Sequence, residues 1–383
     1  MKNEIYFDNS QTTKPSKKVI AAMHPFFTEE WGVFSQPHQK GQELFPAVRR
    51  AYESLYRLFS AKEEDTVIFT ASGAEAVNQV IQGTYFDITL ETGKNHFIVG
   101  KTDEAPALMA MHRLEKAGCP VTQITPTVQN VIEAITPRTA LAVFSWGNGL
   151  TGQVLETEEI AKVLKERGVK FHLDASHVMG KMWVDPLETG ATSISMSGDL
   201  IHGVKSSGAL WVKAKEVVPT LLMGGLEQAG YRGALLDTAS LAALGEAASE
   251  AIEGLDYMAT EVSRLRGKFE SLVLKAIPEA KVHFRSDFRL PHISCMSFPG
   301  CASEALLYLL NQEGLMASMG GGLQQQIGFV LKAESIPDNE ALSALSFSLS
   351  RETTDKEVEE AAKIIEKCVK HLKRASGGID ELK

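Results

Sequence analysis

Cysteine is scarce in this 383-residue chain: Cys119, Cys295, Cys301 and Cys368 are too few and too scattered for a disulfide framework, and no CxxC spacing offers a metal site. The thiols are read as reduced. Positive charge is also in deficit. Lys and Arg total 39 against 48 Asp and Glu, a formal charge of −9, which opposes the counterion release that nucleic acid rewards and the attraction that anionic membranes exert. No apolar run reaches the roughly 18–20 residues of a membrane span, and the opening MKNEIYFDNS holds no signal-peptide core. The expectation is a cytoplasmic protein with neither nucleic acid nor membrane as a partner. What is present is an ordinary globular mix, 44% hydrophobic and 23% charged, which excludes bulk disorder. At roughly 100–200 residues per domain, the length implies two or three structural units.

Between Asp65 and Trp211, short apolar runs alternate with amphipathic stretches, the pattern of parallel strands joined by crossover helices. Strands are expected at 67–70, 96–100, 121–124, 140–146, 169–175, 194–197 and 208–212, and helices at 74–82, 106–116 and 156–167. This predicts an α/β domain. The Ala- and Leu-rich stretch 238–274 reads as one long helix or two consecutive ones. After Pro278 the pattern changes: extended runs at 292–298 and 345–349, a helix at 303–313, a glycine cluster at 320–322, and a last helix. That helix opens on Thr354 and Glu357 in capping-box spacing, with Val358, Ala361, Ile365, Cys368 and Leu372 at helical period. The reading is an N-terminal arm over 1–15, a large α/β domain over 16–250 and a smaller α+β domain over 251–383, with a frayed tail over 375–383.

Three segments are candidates for chemistry. In Phe69-Thr70-Ala71-Ser72-Gly73-Ala74-Glu75 a strand runs into a helix through small residues. Ser72 can cap the helix while Glu75 reaches back, and Gly73 and Ala74 leave the first backbone N–H groups open to an anion; an ordinary capped turn would look the same. In Phe171-His172-Leu173-Asp174-Ala175-Ser176-His177 a buried-looking strand ends in a carboxylate, where α/β folds bind ligands, though Asp174 could equally cap the next segment. The third segment, Ser195 to Val212, reads as strand, Gly-punctuated loop, strand.

Taken in order, these segments resemble the NifS-type cysteine desulfurases, class V aminotransferases within the fold type I pyridoxal-phosphate (PLP) enzymes. The resemblance runs from Ile5-Tyr6-Phe7-Asp8-Asn9-Ser10-Gln11-Thr12-Thr13, similar to the family's IYLDxxATT, to Phe347-Ser348-Leu349-Ser350-Arg351-Glu352-Thr353-Thr354, similar to RFSLGRxTT. It implies a PLP-transferase fold with a mainly parallel seven-stranded sheet in the large domain. It also implies a homodimer whose cofactor lies near the dimer interface, between the two domains. Gly73 and Ala74 match the phosphate-binding turn. Asn148 matches the asparagine on the ring oxygen, Asp174 the aspartate paired with the pyridine nitrogen, and Ser197 a serine on the phosphate. His177 takes the place of a glutamine.

The departures are as specific as the matches. The family's SGHKxxGPKGxGALYV corresponds without a gap to SGDLIHGVKSSGALWV here, so the Schiff-base lysine is replaced by Leu200 and the phosphate-contacting histidine by Asp199. Lys205 matches the second lysine of that pattern. Glu104 stands for the histidine that stacks on the ring, Leu235 for a threonine that the dimer partner supplies, and Ser346 for the arginine on the substrate carboxylate. The loop that carries the persulfide cysteine appears as 317–326, Gly-rich and without cysteine.

A desulfurase needs an amine to exchange the imine, a thiolate and a carboxylate anchor, and all three are unfilled. Asp199 beside a phosphate would be repelled: one like-charge pair at 4 Å costs about 4 kcal/mol at an effective dielectric of about 20, against about 0.3–2 kcal/mol returned by a helix N-terminus. The sequence therefore points to a folded paralogue with a binding or regulatory role, pairing with an active desulfurase or an iron–sulfur scaffold protein. Two alternatives stand beside it. One is an enzyme that holds PLP noncovalently, with Lys205 or His202 as the acid–base group; the other is a pocket in which Asp199, Glu104 and His177 recognise a cation or an amine.

Overall fold

A computed structural model describes residues 4–321 and 325–380. The chain divides into two compact units, one of Lys14–Gly147 and Leu155–Glu253, the other of Met1–Thr13, Asn148–Val154 and Gly254–Lys383.

The first unit is built on a seven-stranded sheet. Its helices include α1 (Phe45–Leu58), α2 (Gly73–Thr84), α3 (Ala105–Lys116) and α4 (Thr238–Glu253), and its strands are β1 (Thr66–Thr70), β2 (His96–Gly100), β3 (Val121–Ile124), β4 (Thr139–Ser145), β5 (Lys170–Asp174), β6 (Ser193–Ser197) and β7 (Gly208–Val212). The order across the sheet is β1-β7-β6-β5-β4-β2-β3. The expected strands all form, within a residue or so at each end. The sheet is mainly parallel, as the resemblance implies, with one exception: β7 runs antiparallel to both β1 and β6. The short loop from Ser197 to Gly208 has no room for the crossover helix that a parallel return requires. Strands β2, β4 and β7 are buried throughout, or nearly so, because helices cover both faces. Ile68, Val99, Val143 and Leu210 share one core with Val77, Ile81, Leu108 and Met111 of α2 and α3.

Strand β1 is an edge, and its exposed backbone is closed by a side chain. The Gln228 amide accepts from Phe69 N at 2.7 Å and donates to Phe69 O at 2.9 Å, while Tyr52 Oη donates to the same Gln228 oxygen at 2.9 Å. This mimics one rung of a further strand and masks a site for edge pairing. Gln228 adopts φ 48°, ψ 46° to do so, a left-handed conformation that non-glycine residues enter at a cost of about 1–2 kcal/mol.

The second unit packs α5 (Ser263–Ala276), α6 (Ser303–Glu313) and α7 (Asp355–Asp380) against a three-stranded antiparallel sheet of β8 (Lys281–Val282), β9 (Ile293–Ser297) and β10 (Ala344–Ser348). Phe7, Phe269, Phe347 and Phe298 form a chain of edge-on ring contacts through its core. The predicted capping box opens α7: Thr354 N donates to Glu357 Oε2 at 2.8 Å and Glu357 N to Thr354 Oγ1 at 3.3 Å. The tail expected to fray is helical as far as Asp380. The stretch 238–274 is α4 and α5 joined by a short helical turn and a π-helical segment at Met258–Val262.

Candidate functional site

The site lies in the first unit, where β5 and β6 end and α2 begins. Ser72, with extended backbone, accepts from Glu75 N at 3.0 Å through Oγ, and Glu75 Oε2 accepts from Ala71 N at 2.9 Å, so the capping box read from the sequence forms. Arg232 donates to both Glu75 oxygens and neutralises that carboxylate. Gly73 is glycine because its surroundings leave no room: a Cβ would lie 3.0 Å from Ser176 Oγ and 3.1 Å from Ser197 Cβ. Gly208 is tighter still, its notional Cβ 2.4 Å from the Ser72 carbonyl carbon. Ser176, Gly73 and Ser197 are thus packed side by side.

Both serine hydroxyls donate hydrogen bonds to carboxylates. Ser176 Oγ donates to Asp174 Oδ1 at 2.6 Å, supported by Ser176 N at 3.1 Å. Ser197 Oγ donates to Asp199 Oδ1 at 2.6 Å. Asp174 closes β5, is buried, and has its carboxyl pushed above the ordinary range by desolvation, an effect the Ser176 bonds only partly offset.

A second acidic group faces Asp174. Glu104, the N-cap residue just before α3, lies with Oε1 3.2 Å from His177 Nε2. Burial alone would push the His177 imidazole down, but the contact with Glu104 and the nearby Asp174 outweigh it and hold the ring above its usual value, against the opposing charge of Lys181. Asp103 supports this corner from beneath, accepting from Gly100 N and Ser145 N at 2.8 Å each, with its carboxyl pushed up to about 7 by complete burial.

The other residues singled out from sequence fall as follows. Leu200 is 5% exposed, inside a 3-10 turn over Gly198–Ile201. His202 ends that turn in a left-handed conformation, φ 63°, with Nδ1 2.9 Å from Lys14 O; it is buried and locked to backbone. Lys205 is exposed on the turn before β7. Ala74, second residue of α2, carries no hydroxyl of its own. Leu235 is exposed. In the second unit, Asn148 Oδ1 accepts from Leu150 N and Thr151 N at 2.9 Å each, and Ser346 Oγ donates to Leu150 O at 2.8 Å. The loop 317–326 is tied to β10 by paired backbone bonds between Ser318 and Ser346; its residues 322–324 lie outside the described ones. All four cysteines are buried, and Cys295, within β9, has its thiol pushed up to about 12 by burial.

The sequence reading missed Asp103, Ser176 and Lys181. Lys181, 3% exposed, sits four residues after His177 within Val178-Met179-Gly180-Lys181-Met182; a lone lysine in an apolar stretch was the available signal. Among the described residues, no three His, Cys, Asp or Glu side chains are grouped to hold a metal, and no helix is long and apolar enough to cross a membrane.

Comparison with known proteins places this architecture. The profile of the family described as Aminotransferase class-V matches residues 5–360. The cysteine desulfurase NifS of Azotobacter vinelandii is 29% identical, over 97% of this chain and 94% of its own length. A cysteine desulfurase of Gluconacetobacter diazotrophicus is 32% identical, over 98% of this chain and 95% of its own. Among solved structures, a NifS-like protein superposes with a TM-score of 0.89 at 22% identity, covering 96% of this chain and all of that one. DndA from Streptomyces lividans gives 0.74 at 26% identity, covering 88% and 97%. The chain therefore belongs to the class-V aminotransferase family, among the NifS-type cysteine desulfurase relatives, a family built on pyridoxal-phosphate chemistry.

Proposed function

We propose that this chain is a NifS-related paralogue without desulfurase activity that acts as a binding or regulatory protein. The observation that carries the reading is Leu200: a buried aliphatic side chain stands where the family places the amine that captures the cofactor aldehyde. Leucine forms no imine. The remaining roles are unfilled as well. Ser346 spends its hydroxyl on the Leu150 carbonyl and offers no cation to a carboxylate. The cysteines are buried, and desolvation raises the thiols of Cys119, Cys295 and Cys301 away from the reactive thiolate form.

The fold, by contrast, keeps its capping boxes, its close-packed glycines and its core, which supports selection for a folded surface. The segment 222–235 presents Leu222, Met223, Leu226 and Leu235 to solvent, between 41% and 90% exposed, and is held against the sheet by Gln228 and by the Arg232–Glu75 pair. Such a rigid apolar surface favours a protein partner. The reading takes it as the surface of a homodimer, and of pairing with an active desulfurase or an iron–sulfur scaffold protein.

A second reading, an enzyme that holds PLP without a covalent link, is favoured by Asp174, the retained partner for a pyridine nitrogen. Its proposed acid–base groups weigh against it, since Lys205 is exposed and His202 is tied to Lys14 O. Purified protein mixed with PLP, reduced with borohydride and mapped by mass spectrometry tests both. No adduct and no sulfide from cysteine is the expected result. An adduct lost in Lys205→Ala overturns the proposal, and turnover of an amino acid without an adduct establishes the second reading. Co-purification from the native host tests the partner: a clean homodimer with nothing bound removes the pairing role.

A further inference from the structure

Glu270, on α5 of the second unit, has a side chain only 1% exposed, and three guanidinium groups converge on it. Arg289, itself 5% exposed, donates through Nη1 to Oε1 at 2.8 Å and through Nη2 to Oε2 at 3.1 Å, and Ser294 Oγ of β9 donates to Oε1 at 2.9 Å. That fork and hydroxyl satisfy the carboxylate. Arg266 Nε, one helical turn earlier on α5, and Arg285 Nε, in the turn after β8, stop at 3.9 Å and 3.6 Å, beyond hydrogen-bond reach. Arg266 spends Nη1 on the Leu290 carbonyl, but its Nε is buried with no hydrogen-bond partner among the described residues. Burial and the neighbouring Arg289 charge lower the Arg266 guanidinium to about 10, only partly offset by Glu270. Three cations against one anion leave a local excess of two positive charges in a chain whose formal charge is −9. Asp287, in the same loop, accepts instead from Gln153 Nε2 at 3.4 Å and Ser286 Oγ at 3.3 Å. The backbone beside Arg289 is pinned, since Val154 N donates to Phe288 O at 3.1 Å and Leu290 N to Gly152 O at 2.7 Å.

We propose that Arg266 and Arg285, backed by the charge of Arg289, form a binding site for a small dianionic oxyanion, a phosphate or sulfate group, that enters beside the exposed Arg285. Two negative charges on the ligand match the excess of two. A tetrahedral oxyanion accepts several hydrogen bonds at once and meets the donors that Arg266 and Arg285 leave unspent, while Arg289 stays on Glu270. A network that served packing alone would close its cations on acids of its own. Arg264 and Lys268 of the same helix do so, pairing with Glu261, Asp355 and Glu359.

The helix start at Gly73 is a competing place for phosphate, so the readout must be local. Calorimetric titration at fixed ionic strength compares wild type, Arg285→Gln, Arg266→Gln and Lys268→Gln against inorganic phosphate, sulfate, glycerol phosphate and acetate. NMR of isotope-labelled protein follows the arginine Nε–H signals. Phosphate and sulfate are expected to bind wild type and to shift the Arg266 Nε–H signal. Arg285→Gln and Arg266→Gln weaken that binding by about tenfold or more, and acetate binds wild type about tenfold more weakly than phosphate. Lys268→Gln, which removes a cation from the same helix outside the cluster, stays within about twofold of wild type. Arg285 is exposed, so its variant tests the site without disturbing the core. Phosphate binding that is absent from wild type, or unchanged in Arg285→Gln, overturns the proposal. An equal loss in Lys268→Gln, or equal affinity for acetate, also overturns it by reducing the effect to general attraction. Glycerol phosphate binding as well as phosphate supports a phosphoryl group carried on a larger ligand, and its exclusion supports the free oxyanion.

Discussion

Glu104 Oε1 lies 3.2 Å from His177 Nε2 across 73 residues of sequence, joining the start of α3 to the turn after β5. Their side chains are 25% and 9% exposed, so the pair is shielded from most solvent screening. Glu104→Gln should return the imidazole toward or below its ordinary value and cost about 1–3 kcal/mol of stability near neutral pH. Because the folded His177 pKa is raised, the pair stabilises fully below the ordinary imidazole value and the benefit fades as pH climbs through the raised one. Imidazole NMR titration of both proteins checks this. An unchanged His177 midpoint in the variant would refute it.

Asp103 predicts a second pH dependence. With its carboxyl pushed up to about 7, the folded chain keeps a proton that the unfolded chain has released, over the window from about pH 4 to 7. Stability from this group therefore declines with rising pH, by up to about 1.4 kcal/mol per unit. Asp103→Asn should flatten that slope. At neutral pH it should also cost about 1–3 kcal/mol, because an amide offers a single oxygen to the two backbone donors Gly100 N and Ser145 N. Urea melts at several pH values decide it; an identical slope in both proteins would remove Asp103 as the cause.

The cysteines should be inert in the folded protein. All four are buried, with the Cys295 thiol pushed up to about 12. Labelling with a chromogenic disulfide at neutral pH should be slow in native protein and complete in denaturant. One fast-reacting thiol in the native state would reopen the question of a sulfur-carrying residue.

Gln228 closes the β1 edge with three hydrogen bonds. Gln228→Ala should cost about 1–3 kcal/mol and leave the Phe69 backbone unpaired, and Gln228→Gly should cost less, by about 1 kcal/mol, because glycine tolerates φ 48°. Chemical denaturation gives the energies, and amide exchange at Phe69 gives the location. If Phe69 exchange does not change, the capping role fails.

The strands of the large sheet were legible because burial on both faces leaves continuous apolar runs bounded by turn residues, as in Phe97-Ile98-Val99. The direction of β7 was not, since an apolar run carries no sense of polarity; the short loop behind Ser197 was the only hint. Local devices such as Ser72 with Glu75, or Thr354 with Glu357, were readable because both partners lie within one helical turn. The tail over 375–383 was expected to fray because chain ends make few tertiary contacts, whereas α7 runs on to Asp380.

By itself the amino-acid order settled which family the chain joins, because motif residues and their spacing can be matched without coordinates. Only the folded structure decided what the side chains at the site contact. That Asp199 accepts a hydrogen bond from Ser197, that Glu104 pairs with His177, and that Gln228 serves as a rung for Phe69 all depend on distances of a few ångströms. Electrostatic and hydrogen-bond energies vary steeply over such distances, and nothing along the chain encodes them directly.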